Sequence, residues 1–180
     1  CSRSAPGGAT ARRGTRPRAD GVTMATSARD ADGREELVFV QIGGAPFALP
    51  AASVSEVLLL VEPTPVPGWP PRCVGLFDLR GELLPLLEVN TLLDRPEGRW
   101  STGHHIVVVL AEARRWGLVV DGVDGVRAAP VLAQQGLTAP GVIAGGGLCQ
   151  GVVIDGGAPV VVVDVEALGR AANAAGEEAP

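Results

Sequence analysis

The longest unbroken apolar runs in this chain are VLLLV at 57–61 and IVVVLA at 106–111, each bounded by charged or turn-forming residues. A membrane-spanning helix needs about 18 or more consecutive apolar residues, so neither run is long enough. The 25 glycines and 15 prolines among 180 residues punctuate the chain too often for long helices. Such a mixture suits many short strands joined by tight turns, and a mostly β fold is the first expectation. The length allows one domain of ordinary size, or two small lobes sharing an interface.

All fifteen basic residues are arginines, and lysine and tyrosine are both absent, which reads as the codon usage of a GC-rich genome rather than a functional choice. Residues 1–23 hold five arginines against one aspartate, and the rest holds ten against nineteen acids, so the head is near +4 and the body near −9. An acidic body argues against nucleic-acid binding. The head has almost no apolar residues and reads as disordered through residue 34. Cys1 admits two readings: the acylated terminus of a processed lipoprotein, or upstream sequence translated ahead of an ordinary start at Met24. The second is preferred. No secretory apolar segment precedes the body, so the expected location is cytoplasmic, with no membrane insertion.

Order is expected to begin near Glu35. LVFVQI, the turn Gly43-Gly44 and a run from Pro46 to Leu49 form a hairpin. Ser53 to Val61 fits a strand or a short helical turn, since Val54, Val57 and Leu58 also match helical spacing. Glu62 to Pro71 contains five prolines in ten residues and is a surface connection. Two strands, Cys73 to Asp78 and Glu82 to Glu88, flank a Leu-Arg-Gly turn, with a helical turn over Val89 to Leu93. His104 to Ala111 and Trp116 to Val120 make another hairpin, and VDGVDGV from Val120 to Val126 a kinked or bulged strand. Pro130 to Pro140 gives no clear signal. Leu148 to Ile154 pairs with Val160 to Val163 across DGGAP, and VEALGRAANAA has helical spacing. At least nine short strands with little helix indicate a barrel or sandwich.

No catalytic constellation emerges. His104 and His105 are adjacent, so within a strand they would point to opposite faces and could not share a metal without distortion. Neither Cys73 nor Cys149 lies in a basic neighbourhood that would lower its pKa, and both read as buried core thiols. A thiol enzyme using one of them with a histidine would need a tertiary contact. The triple glycine at 145–147 lacks the Gly-Lys-Ser/Thr ending of a phosphate loop, and Asp121 and Asp124 have a spacing that turns use routinely. No metal or cofactor is expected.

The order of these pieces resembles the CheW-like domain of bacterial chemotaxis adaptors over 35–172, leaving 173–180 as a loose acidic tail. The stretch GLFDLRGELLPLLEV, Gly75 to Val89, is similar to that family's Gly-x-x-Asn-Leu-Arg-Gly signature followed by an apolar-Pro-apolar run. VSEV at 54–57, TPVP at 64–67, VDGVDGV at 120–126 and QGVVIDGGAPVVVVDVEAL at 150–168 support it in the same order. The resemblance implies two small five-stranded SH3-like β-barrel lobes with short helical pieces and a groove between them. It implies a non-enzymatic signal-transduction scaffold that bridges chemoreceptor cytoplasmic tips and the regulatory domain of the histidine kinase CheA. A CheW-like adaptor of a non-motility pathway has the same sequence signature.

By the same resemblance Arg80 sits on the receptor-facing side with Glu56 as its candidate partner; pairing with Asp78 or Glu82 is the alternative. Val54, Val57 and Leu79 are candidates for the apolar part of the contact, beside Gly81, although each also suits a core. Asp78 replaces the family's usual asparagine and is an acceptor-only anion able to capture Arg80.

Overall fold

The computed structural model describes residues 33–69, 72–93, 95–96, 98, 100–133 and 147–176. The expectations for the arginine-rich head, for the first two residues of the triple glycine and for most of 130–140 therefore lie outside the described residues. Among the described residues, eleven strands and one α-helix make up the fold: β1 (Arg34–Ile42), β2 (Ala45–Pro50), β3 (Val54–Leu59), β4 (Cys73–Leu79), β5 (Glu82–Glu88), β6 (His105–Ala111), β7 (Arg114–Val120), β8 (Gly122–Pro130), β9 (Leu132–Ala133), β10 (Cys149–Asp155), β11 (Ala158–Val163) and α1 (Val165–Gly176). The first strand begins inside the segment expected to precede the domain, and α1 takes up the first four residues of the expected tail. The open choice at Ser53 to Val61 resolves to a strand.

The strands form two sheets, ordered β8-β1-β2-β11-β10-β9 and β3-β6-β7-β5-β4. Apart from the two-residue β9, both have five strands and the same plan. Two antiparallel hairpins are joined by parallel pairing of their second strands, β2 with β11 and β5 with β7, and a fifth strand covers the outer edge. The chain's two ends build the first sheet, and residues between β2 and β8 build the second.

All four hairpins turn in two residues with positive φ at both positions. This type I′ geometry matches the right-handed twist of the flanking strands. Gly43-Gly44 and Gly156-Gly157 adopt it without strain. Arg80-Gly81 places an arginine at φ +55, and Glu112-Ala113 uses two side-chain-bearing residues at φ +51 and +58. The helix holds the second turn in place: Glu166 Oε2 accepts the Glu112 N–H at 2.8 Å, and Arg170 Nη1 reaches Glu112 Oε1 at 3.1 Å. Asp164 caps that helix, its Oδ1 accepting the Ala167 N–H at 2.9 Å.

Strands β1 and β6 bury both faces. Leu37 and Phe39 fill the interior of the first lobe with Val153, Val160 and Val162. Ile106 and Val108 fill the second with Leu60, Leu84 and Leu86. The alternate residues Val38, Val40, Val107 and Val109 join Phe47, Leu118, Val163 and Leu168 in a third cluster shared by both sheets and α1. VDGVDGV contains a bulge: the register of β8 against β1 shifts between Phe39 and Val40, leaving Asp124 outside the pairing. Arg127 lies over the Phe39 ring at 4.0 Å and pairs with Asp155 at 2.8 Å, tying β8 to β10 across the lobe.

The proline-rich link is held by a bridge of Thr64 with Leu76, made by reciprocal N–H to C=O bonds of 2.8 Å. It passes so close to Gly75 that a Cβ there would stand 2.5 Å from the Thr64 carbonyl oxygen, at a φ of +148 that other residues rarely adopt. Gly75→Ala is expected to cost about 2–3 kcal/mol of unfolding free energy, read from urea denaturation, because strain and a lost bridge add. An unchanged midpoint would show that the link yields freely.

Candidate functional site

The Arg80 turn lies at one end of the second lobe. Arg80 Nη2 donates to Glu56 Oε2 at 3.0 Å, and Arg115 Nη2 donates to the other carboxylate oxygen, Oε1, at 3.1 Å. Arg115 Nη1 then reaches Glu82 Oε2 at 2.8 Å. Four charges on four strands or their turns thus form one chain, Arg80–Glu56–Arg115–Glu82. Glu56 is placed by a bulge in β3, where the register against β6 shifts between Val54 and Glu56 and Ser55 is left over.

The two arginines differ in cover. The Arg115 side chain is 31% exposed and spans two carboxylates, whereas the Arg80 side chain is 78% exposed and touches one. Exposed pairs contribute at most about 1 kcal/mol, so Arg115 anchors the network and Arg80 projects from it. Asp78 does not capture Arg80: its Oδ1 accepts the Gly81 N–H at 2.6 Å and closes the turn from inside. Glu82, the other alternative partner, belongs to Arg115.

Of the apolar candidates, Leu79 is only 6% exposed and packs with Leu60, Leu84 and Leu86, so it is core rather than contact surface. On β4 it occupies an inward position of the alternation. Val54 is half-buried against the shared core. Val57 is exposed, and it continues into an outward row with Leu59 and Val61, while Leu58 and Leu60 point inward. The row lies along β3, the outer strand of its sheet, where an apolar edge invites pairing or contact. Leu59 and Val61 were hidden in a run that reads as continuous core; strict alternation from Val57 is the signal that separates them. Arg115 does not figure among the candidates because its place depends on the parallel pairing of β5 and β7, which no local pattern specifies.

The histidines do not meet the cysteines. His104 Nδ1 accepts the Ser101 N–H at 2.8 Å and its Nε2 lies 3.5 Å from Asp121 Oδ1. Cys73 and Cys149 are half-buried free thiols rather than buried ones. Burial pushes both thiol pKa values up, against smaller opposing effects from the Arg72 charge at Cys73 and a Gly151 backbone hydrogen bond at Cys149. A raised pKa lowers the thiolate fraction, so at pH 7.5 both are expected to alkylate with iodoacetamide more slowly than free cysteine. Faster modification of either would revive covalent chemistry.

Two substitutions separate the arginines. Arg80→Asn relieves the left-handed strain of a side chain that favours other conformations, and is expected to raise stability by about 0.5–1 kcal/mol in chemical denaturation. Arg115→Ala leaves Glu56 and Glu82 without their shared cation and is expected to lower it by about 1–2 kcal/mol. Equal effects would mean that the network has no anchor.

The CheW-like domain family model matches residues 36–173. Chemotaxis protein CheW of Rhizobium meliloti is 28% identical over 95 residues, 53% of this chain and 61% of that protein. Chemotaxis protein CheW of Treponema pallidum is 26% identical over 143 residues, 76% of this chain and 83% of that protein. Protein FrzA of Myxococcus xanthus is 31% identical over 97 residues, 54% of this chain and 61% of that protein. The chain thus spans about three-fifths of the length of two of these three relatives. The crystal structure of the scaffolding protein TtCheW from Thermoanaerobacter tengcongensis superposes with a TM-score of 0.66 at 19% identity, covering 75% of this chain and 92% of that one, a likeness of fold. With the family match extending from β1 into α1, and with the two-lobe architecture it accompanies, the chain belongs to the CheW-like domain family.

Proposed function

We propose that this protein is a non-enzymatic adaptor in chemotaxis signalling that couples chemoreceptors to a CheA-type histidine kinase in the cytoplasm. The observation that carries this reading is the family match over nearly all the described residues, joined to a site built for contact rather than reaction. Arg80 stands outward on a strained turn, steered by Glu56 of β3, and the same strand carries an exposed apolar row. An acid on a receptor tip would meet the Arg80 guanidinium, and apolar residues of a partner would meet the β3 row. The receptor side of the bridge is assigned to Glu56, Val57, Asp78, Arg80 and Gly81, with Val54 supporting from the rim and Asp78 acting through the turn. The kinase regulatory domain takes another face of the same lobes.

No helix among the described residues is long and apolar enough to cross a membrane. Raised thiol pKa values weigh against the thiol-enzyme alternative.

The test is a pull-down with two baits, a CheA regulatory domain and a receptor cytoplasmic tip from the same genome. Wild type is expected to bind both. Arg80→Glu reverses the charge beside Glu56 and is expected to lose the receptor bait by at least about tenfold while keeping the kinase bait and its Tm. Loss of both baits in a folded variant would sink the assignment of Arg80 to the receptor side, and failure of wild type to bind either would sink the adaptor reading.

A further inference from the structure

At the far end of the strands that carry the Arg80 turn, β5 and β7 finish side by side, with Glu88 opposite Val119. Six steps of extended chain, about 20 Å, separate this end from Glu82. A cleft opens here between Glu88, Asn90, Gly98, Trp100, His104 and Asp121, with about 220 Å³ of empty space, part of it open to solvent. Its enclosed part has room for about one water-sized group.

Two shortages meet in this cleft. Glu88 is 8% exposed, and among the described residues its carboxylate has only neutral donors, the Asn90 N–H at 2.8 Å and the Thr91 hydroxyl at 3.4 Å. A buried carboxylate without a cation is costly. Asn90 is 6% exposed, and its side-chain Oδ1 has no partner among the described residues. An unpaired buried acceptor carries its own desolvation cost. Asp121 adds a second carboxylate at the rim, one oxygen taken by the Gly44 N–H at 2.8 Å and the other 3.5 Å from His104 Nε2. Gly98 keeps the cleft open, since a Cβ there would strike the Asn90 amide.

The missing group is therefore a small cation that donates hydrogen bonds. No trio of His, Cys, Asp or Glu among the described residues is arranged to hold a metal ion. The occupant must span to the oxygens with its own N–H groups. An ammonium head offers three such donors in the volume of a water, whereas a planar guanidinium is too broad for the enclosed part. Trp100, partly exposed at the mouth, provides an aromatic face for the aliphatic stem and the charge above it. We propose that this cleft binds a primary alkylammonium group. The sequence contains no lysine, so a second copy of this chain cannot supply the group through a side chain. The source is a lysine of another protein or a free amine.

The two sources are tested on the full ¹⁵N-labelled chain by NMR, following the Asn90 side-chain NH₂ and Trp100 indole signals. One arm titrates Nα-acetyl-lysine methylamide, the other cadaverine. Saturable shifts confined to the cleft are expected. Tighter binding of the lysine derivative identifies a protein lysine, and tighter binding of cadaverine a free amine. Glu88→Gln is expected to weaken binding at least about tenfold, the loss of one charge-assisted contact. Because Glu88 also closes its own turn, Trp100→Ala at the exposed mouth serves as the second variant, expected to weaken binding severalfold at unchanged Tm. The Nε-acetylated lysine derivative, which has no charge, is expected to leave the spectrum unmoved. Equal shifts with that neutral analogue, no shifts with either amine, or full affinity in both variants would overturn the proposal.

Discussion

The fold depends on two strands whose central residues are buried on both faces. β1 and β6 each send one row of side chains into their own lobe and the other into the core between the lobes. Burying a Val or Leu side chain is worth about 1.5–3 kcal/mol, so parting the lobes would expose the shared cluster at a cost no small domain can offset. The lobes therefore behave as one folding unit despite having separate sheets. The relative placement of the Arg80 turn on one lobe and any surface of the other is accordingly fixed.

The hairpin turns add a second constraint, met in two ways. Where both turn residues are glycine, the left-handed backbone carries no steric penalty. Where side chains occupy those positions, neighbouring structure holds them. Glu112 is held by Glu166 and Arg170 of α1, so the helix stabilises a strained turn while covering the shared core. At Arg80, Asp78 fixes the backbone through the Gly81 N–H and Glu56 fixes the side chain. The first turn is clamped by groups that are otherwise structural. The second leaves its guanidinium mostly in solvent, an arrangement that stability alone does not favour.

Hairpins and the bulge in VDGVDGV were legible because their causes are local: glycine pairs, alternation and turn formers act within a few residues of one another. The pairing of Arg80 with Glu56 was suggested only by family likeness, since 24 residues and a proline-rich link separate them. The fate of Leu79 was not legible. A Leu-Arg-Gly turn marks its position in sequence, but which face of β4 points inward depends on register against β5. Arg115 and the row formed by Leu59 and Val61 were missed for related reasons. The first needs a parallel pairing between strands far apart in sequence, and the second needs to be known as an edge rather than a centre.

The same β5–β7 pair that joins the Arg115 network to the Glu88 cleft also decides how the two ends can communicate. Energetic coupling needs an element with two discrete arrangements, and these strands offer none: Leu86 and Leu87 are fully buried, and Gly117 lies so close to Leu84, Leu86 and Ile106 that its missing side chain leaves no slack. A group seated beside Glu88 would therefore change the local electrostatics without sliding the strands or reorienting Arg80. Occupancy at that end would leave the geometry at the other as the folded core sets it.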